Sequence, residues 1–341
     1  MEKTKQSAKK FIYELSSEVS LFTDSYISRF SSRNSKDDYV GNWRQSININ
    51  KPYAEQIAWL VKHPNSNQVE FQINIVTKND ISTKSNLWIK LKDDLSKLTT
   101  KGIIISQIKD NLNKFKETHV AITFKINLID ETLNPNDIEG IMTDSKKVLE
   151  LFVNFAGENN IAGIKTKKTK SLLTEVNQEV KSKLSNSFKA RLRWFKDIDF
   201  DLAALYVLKN GDKGLVYFGN KGSLTTSPYI NLDKDEMYGG ENEKLETLSV
   251  VNNSHIDKVF LICWDWSNLG GSSAFDRSYV NVAISDNNDN LVVVKPTTKS
   301  GNDSVCIAEI SFNVDGIAVK NKSISFKRPG SSAIEIYNIV K

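Results

Sequence analysis

Asp197-Ile198-Asp199-Phe200-Asp201, running directly into Leu202-Ala203-Ala204-Leu205-Tyr206-Val207-Leu208, decides how the second half of this chain is read. Alternation puts three carboxylates on one face of a strand and Ile198 and Phe200 on the other. Like charges that close repel, so either water separates them as a solvated strand face or a cation lies among them; a hard, oxygen-seeking ion such as Ca2+ is the first candidate. A second acidic cluster follows, Asp233-Lys234-Asp235-Glu236-Met237-Tyr238-Gly239-Gly240-Glu241-Asn242-Glu243. Its oxygens suit the same ion, and Gly239-Gly240 can turn a carbonyl inward. It is not an EF-hand, because Tyr238 stands at the sixth position from Asp233, where that loop needs Gly. Soft-metal readings fail for lack of ligands: His63, His119 and His255 lie far apart, and none pairs with a cysteine at zinc spacing.

Outward from this stretch the texture is one of short apolar runs between turns, the pattern of an antiparallel β-sandwich. The runs are 202–208, 215–218, 245–251, 258–263, 279–284, 291–294, 305–312 and 323–326. Asn210-Gly211-Asp212-Lys213-Gly214 and 285–290 have turn composition. Trp264-Asp265-Trp266 places an acid at a strand end before the Gly- and Ser-rich 267–273, so Asp265 is a further candidate ligand, with core aromatics as the plainer reading.

Upstream, the charge is uneven. Residues 161–196 hold ten Lys and Arg against two Asp and Glu, a net +8, whereas 1–160 hold 22 against 20 and 197–341 hold 14 against 19. Leu172, Val176, Val180, Leu184 and Phe188 recur near helical spacing, which predicts a basic helical bridge over 161–196. Lys165, Lys167, Lys168, Lys170, Lys181, Lys183, Lys189, Arg191 and Arg193 would make it a weak electrostatic site for nucleic acid or an anionic surface, a patch docking on the acidic sandwich, or a solvated linker.

Residues 1–160 read as a mixed α/β or α+β domain. Helices are expected over 5–30, near Ile57, Ala58, Leu60 and Val61, over 86–98 and over 136–155, with a polar loop at 31–38. Val69, Phe71, Ile73 and Ile75 alternate with Glu70, Gln72 and Asn74, a half-buried strand; 120–128 and 102–105 are further strands. Gly41-Asn42-Trp43-Arg44-Gln45-Ser46 reads as a loop whose Trp closes the domain core or stacks on a base or sugar. Glu70-Phe71-Gln72 has the strand carboxylate of a nuclease without its Lys.

The segments Asp199-Phe200-Asp201-Leu202-Ala203-Ala204-Leu205, Val216-Tyr217-Phe218-Gly219-Asn220, Glu241-Asn242-Glu243-Lys244-Leu245-Glu246, Ile256-Asp257-Lys258-Val259-Phe260 and Ala274-Phe275-Asp276-Arg277-Ser278-Tyr279-Val280 carry a resemblance. Together they look like the TerD-like family of tellurite-resistance and stress-response proteins, over residues from about 190 to 341. The resemblance implies a β-sandwich that binds Ca2+, with Asp199 and Asp201 matching the family's D-x-D opening and Glu241, Asn242 and Glu243 its D-D-E ending. Ala203 replaces the usual Ser, Asn242 replaces an Asp, and the glycine loop is short. Fewer formal charges imply weaker Ca2+ binding. In the same frame Asp265 lies where a strand-end acid is common.

Cys263 and Cys306 sit in apolar runs as buried free thiols, and no disulfide framework is indicated. No segment approaches the roughly 20 apolar residues of a transmembrane helix. The start of the chain lacks a secretory h-region, so a cytoplasmic protein is expected. No nucleophile elbow, P-loop or zinc motif is present, which favours a non-enzymatic bacterial stress or defence scaffold or sensor with protein partners. Two alternatives stand beside it: an N-terminal hydrolase or nuclease regulated by the TerD-like module, and a nucleic-acid adaptor working through the basic bridge.

Overall fold

A computed structural model of the chain describes residues 27–34, 41–50, 55–65, 68–77, 93, 103–109, 118–127, 169–194, 198–233, 244–268, 275, 278, 280–288, 290–298, 301–313 and 316–341; up to 127 it gives strand backbone only, apart from Asp93. The chain divides into two compact units, Met1–Thr166 and Lys167–Lys341. Among the described residues no helix is long and apolar enough to cross a membrane.

The first unit contains one six-stranded antiparallel sheet. Its strands are β1 (Ile27–Asn34), β2 (Gly41–Asn50), β3 (Glu55–Asn65), β4 (Gln68–Thr77), β5 (Ile103–Lys109) and β6 (Thr118–Asn127), in the order β1-β2-β3-β4-β6-β5. The strands expected from 69–75 and 120–128 are β4 and β6, paired Ile73 to Ile122 and Phe71 to Phe124. Three expectations are corrected here. The residues 57–61, expected as a helix, lie inside β3, because Ile57, Trp59 and Val61 also alternate and pair on both sides, with Ile47 and Trp43 of β2 and with Ile75, Ile73 and Phe71 of β4. The Trp43-Arg44 stretch, expected as a loop, belongs to β2, and 27–34, expected as helix end and loop, form β1. The helices expected over 86–98 and 136–155, and the 5–26 part of the first, lie outside the described residues apart from Asp93, which is helical.

The second unit is a β-sandwich of two six-stranded sheets. One has the order β11-β10-β14-β17-β18-β8 and the other β12-β13-β9-β15-β16-β7. These strands are β7 (Thr169–Leu173), β8 (Glu179–Ser182), β9 (Phe188–Trp194), β10 (Phe200–Leu208), β11 (Lys213–Val216), β12 (Ile230–Leu232), β13 (Lys244–Val250), β14 (Ile256–Asp265), β15 (Asn281–Asp286), β16 (Asn290–Val294), β17 (Ser304–Asn313) and β18 (Gly316–Phe326). All eight sequence runs become strands, and the turn at 210–214 joins β10 to β11, with Gly211 at φ 91° in the left-handed region that glycine tolerates.

The basic helical bridge is corrected. Residues 169–194 supply β7, β8 and β9, with β9 paired on both sides by β13 and β15 inside its sheet. A four-residue apolar spacing fits a helix, but it is also an even number, so it fits a strand equally well. Burial in the sandwich decides: Leu173, Leu184, Phe188, Ala190, Leu192 and Trp194 all enter the core between the sheets. The sandwich therefore starts before 197.

Strand β10 of the first sandwich sheet is used on both faces. Phe200, Leu202 and Ala204 join the inter-sheet core, while Ala203, Leu205 and Val207 join a second cluster with Phe260, Ile262, Trp264, Ile336 and Val340. The last two belong to a short C-terminal helix, α1 (Ala333–Val340), capped by Ser332 accepting from the Glu335 N–H.

Candidate metal centre

Strand geometry brings the ends of β10, β14, β9 and β13 to one end of the sandwich. Asp201 is opposite Trp264 and Phe200 opposite Asp265 in the β10–β14 ladder. Lys244 is opposite Trp194 and Leu245 opposite Arg193 in the β13–β9 ladder. The Trp194 indole N–H donates to the Ile198 carbonyl, 3.0 Å, which ties the approach of β10 to the end of β9.

Asp199 and Asp201 are both buried. Main-chain bonds fix the first of them: the Asp199 carbonyl accepts from Trp266 N–H, 2.8 Å, and its N–H donates to Ser267 Oγ, 3.1 Å. By alternation Asp201 shares the face of Ala203 and Leu205, whereas Asp265 shares that of Cys263 and Leu261 in the inter-sheet core. The two acids thus reach the sheet end from opposite faces. Asp265, at 0% exposure, donates its N–H to the Asp303 carbonyl.

Several residues that sequence reasoning passed over complete this end. Asp303 Oδ1 accepts from Arg328 N–H at 2.8 Å and from Ser304 Oγ at 3.0 Å. The Arg328 guanidinium lies 3.8 Å above the Trp264 ring and 4.9 Å from the Trp266 ring, between them and the carboxylates. Burial lowers its proton affinity, and the charges of Asp201 and Asp303 oppose that fall. Glu246, buried between the sheets, accepts the Leu202 N–H at 2.6 Å. That N–H needs a partner from outside the ladder because β11 pairs with β10 only from Ala204 onward. Burial, followed by Glu246, Asp201 and Asp265, pushes the Cys263 thiol well above its ordinary value, so this free cysteine is an inert core residue.

Charge is the distinctive property of the site. Asp199, Asp201, Glu246, Asp265 and Asp303 are set against Arg193, Lys244 and Arg328, five carboxylates to three cations, and all but Arg328 are more than nine-tenths buried.

The second acidic cluster is only partly placed. Asp233 is exposed, and it ties β12 to β13 by accepting Thr247 N–H on Oδ1 and donating its own N–H to the Thr247 carbonyl. Asp235, Glu236, Glu241, Asn242 and Glu243 lie outside the described residues, as does Asp197. Among the described residues no group of three or more His, Cys, Asp or Glu side chains is arranged to hold a metal ion.

The basic residues once assigned to a bridge are dispersed. Lys181 is exposed on the edge strand β8 of one sheet, Lys189 on β9 of the other, and Arg193 is buried at the acidic end. Lys165, Lys167 and Lys168 lie outside the described residues.

No protein-family model matches the chain, and no curated protein matches it. Two solved structures are similar to it. One is a protein of unknown function, 14% identical, with a TM-score of 0.31, covering 41% of this chain and 92% of its own. The other is a homologue of telluride resistance protein (TerD) from Streptomyces coelicolor A3(2), 16% identical, with a TM-score of 0.32, covering 45% of this chain and 95% of its own.

Proposed function

We propose that this chain is a calcium-binding, TerD-like scaffold of a bacterial stress response, whose metal centre is the acidic end of the sandwich. The observation that carries the reading is the burial of Asp199 and Asp201 together at one end of the sandwich, where their carboxylates are the oxygen donors that a divalent cation takes. The donor chemistry fits: every candidate oxygen is a carboxylate, amide or main-chain carbonyl, the set that Ca2+ prefers. The described residues alone do not form a shell, so the reading assigns Asp199 and Asp201 as anchors. Glu241, Asn242 and Glu243, with Asp235 and Asp265 as further candidates, would complete it. When bound, the ion would contribute charge neutralisation at the acidic end.

A scaffold role is supported by how the placed charges are employed. Glu246 holds a strand N–H, Asp303 holds Arg328, and Glu309 accepts Lys258 Nζ at 2.7 Å and Lys322 Nζ at 3.3 Å. Each is committed to architecture. The test is a calorimetric titration of the full chain with Ca2+ after chelation. Saturable heat with a rise in thermal midpoint that chelator reverses is expected; neither heat nor shift at millimolar Ca2+ defeats the reading.

A further inference from the structure

The two faces of the N-terminal sheet differ in kind, and the register assigns them. The row Trp43, Val61, Phe71, Phe124, Ile103 is apolar, as is Ile47, Ile57, Ile75, Val120, Ile108. The intervening rows place Arg44, Leu60, Gln72, Thr123 and Ile104, then Ser46, Ala58, Asn74, Ala121 and Gln107, on the opposite face. Charge follows the same division. Arg29, Arg33, Arg44, Lys62, Lys125 and Lys109 all take register positions on the polar face, with Glu70, between Lys62 and Lys125, the one acid among its paired positions.

The basic positions are concentrated. Ser31 is opposite Arg44, so Arg29 and Arg33, two residues to either side of Ser31, are its diagonal neighbours at about 7–8 Å. Lys62 stands in the same diagonal relation from β3, two residues from Leu60, which is opposite Arg44. Four cations on three consecutive strands, with no acid opposite three of them, raise the energy of the sheet by mutual repulsion. Six cations against one acid at the paired positions make this face a match for a partner of opposite charge.

We propose that the polar face of the N-terminal sheet binds the phosphate backbone of single-stranded nucleic acid through Arg29, Arg33, Arg44, Lys62, Lys109 and Lys125. A polyanion fits better than a single phosphate because the positions run from β1 to β5, five strand spacings of about 4.8 Å. Arginine forks pair with phosphate oxygens in a bidentate way, which favours the Arg29-Arg33-Arg44 corner as the anchor. The paired positions of this face hold no Phe, Tyr or Trp, so recognition is mainly electrostatic and indifferent to sequence.

The test uses the full chain and a labelled mixed-sequence oligonucleotide of about 20 nucleotides, followed by fluorescence anisotropy between about 50 and 200 mM salt. Six phosphate contacts predict a slope of log affinity on log salt of about −4 for a single strand. Arg29→Gln/Arg33→Gln/Arg44→Gln should weaken binding at least about tenfold and flatten the slope by about 2, while the corresponding Arg→Lys variant keeps most of both. Lys62→Gln/Lys125→Gln, flattening the slope by about 1, reads the same face if the triple variant loses its thermal transition. Lys181→Gln/Lys183→Gln/Lys189→Gln on the sandwich should change nothing. Absence of binding at low salt overturns the proposal. So does binding abolished by the sandwich variant alone, or binding confined to phosphatidylserine vesicles.

Discussion

Rows of the N-terminal sheet alternate between apolar and polar, whereas β15 and β16 of the sandwich are buried at every position from Asn281 to Asp286 and from Asn290 to Val294. The sequence of the first sheet keeps a period of two that separates apolar from charged positions. The sandwich strands bury both, so polar residues among them have to find partners inside the protein. Asp286 shows how: its two oxygens accept the N–H groups of Ser185, Asn288 and Asn290 and the Asn290 amide, closing the β15–β16 turn. Polar residues mark a surface in one region and internal fastening in the other.

The largest effect expected from this contrast is a truncation. Removing residues before 197 deletes β7, β8 and β9, and β9 is held between β13 and β15. A 197–341 fragment should show no cooperative thermal transition, while 167–341 should keep one; a cooperative melt of the shorter fragment would place β9 outside the folding unit. Next in size is Phe200→Ala, which removes a buried ring packed 5.2 Å from Phe275 and 6.0 Å from Trp194. It should cost about 3–5 kcal/mol in denaturant unfolding. Glu246→Ala should cost about 1–3 kcal/mol by leaving the Leu202 N–H without its acceptor.

A smaller effect, within the sandwich, is read by pH. Burial pushes the Asp286 carboxyl up, but hydrogen bonds from Asn290, Ser185 and Asn288 outweigh it and hold it below its ordinary value. Burial likewise opposes the Lys258 and Lys322 contacts at Glu309, and the contacts prevail. Both folded values lie below the unfolded ones. The stability they contribute is complete above the ordinary carboxylate range of about 4 and is lost as pH falls through the lowered folded values. Asp286→Asn/Glu309→Gln should flatten the acid limb of the stability profile.

Much of this was legible in the residues themselves. Val69 to Ile75 and 120–128 betrayed their strands because polar residues mark every second place, and the eight runs after Asp197 were bounded by Gly, Asn and Asp turns. Ile57, Ala58, Leu60 and Val61 misled because their spacing satisfies a helix too; only pairing with β2 and β4 settles it. The segment 172–188 misled in the same way, and its lysines suggested a solvated bridge where the apolar partners were forming β9. At the acidic end, Asp199, Asp201 and Asp265 stood out by local density. Glu246, Asp303 and Arg328 did not, since each reaches the site through a ladder formed across many residues of chain. The α1 helix was open to discovery, because Ser332-Ala333-Ile334-Glu335 has the spacing of a capping box.

The account rests most heavily on Asp199 and Asp201 as calcium anchors, and Asp199→Asn/Asp201→Asn tests that directly, because it removes two negative charges with little change of shape. Thermal midpoints of the full chain and this variant would be compared with chelator and with Ca2+. The account predicts that Ca2+ raises the midpoint of the parent and leaves that of the variant where chelator puts it. A variant that is destabilised in chelator and still gains from Ca2+ as the parent does would contradict it.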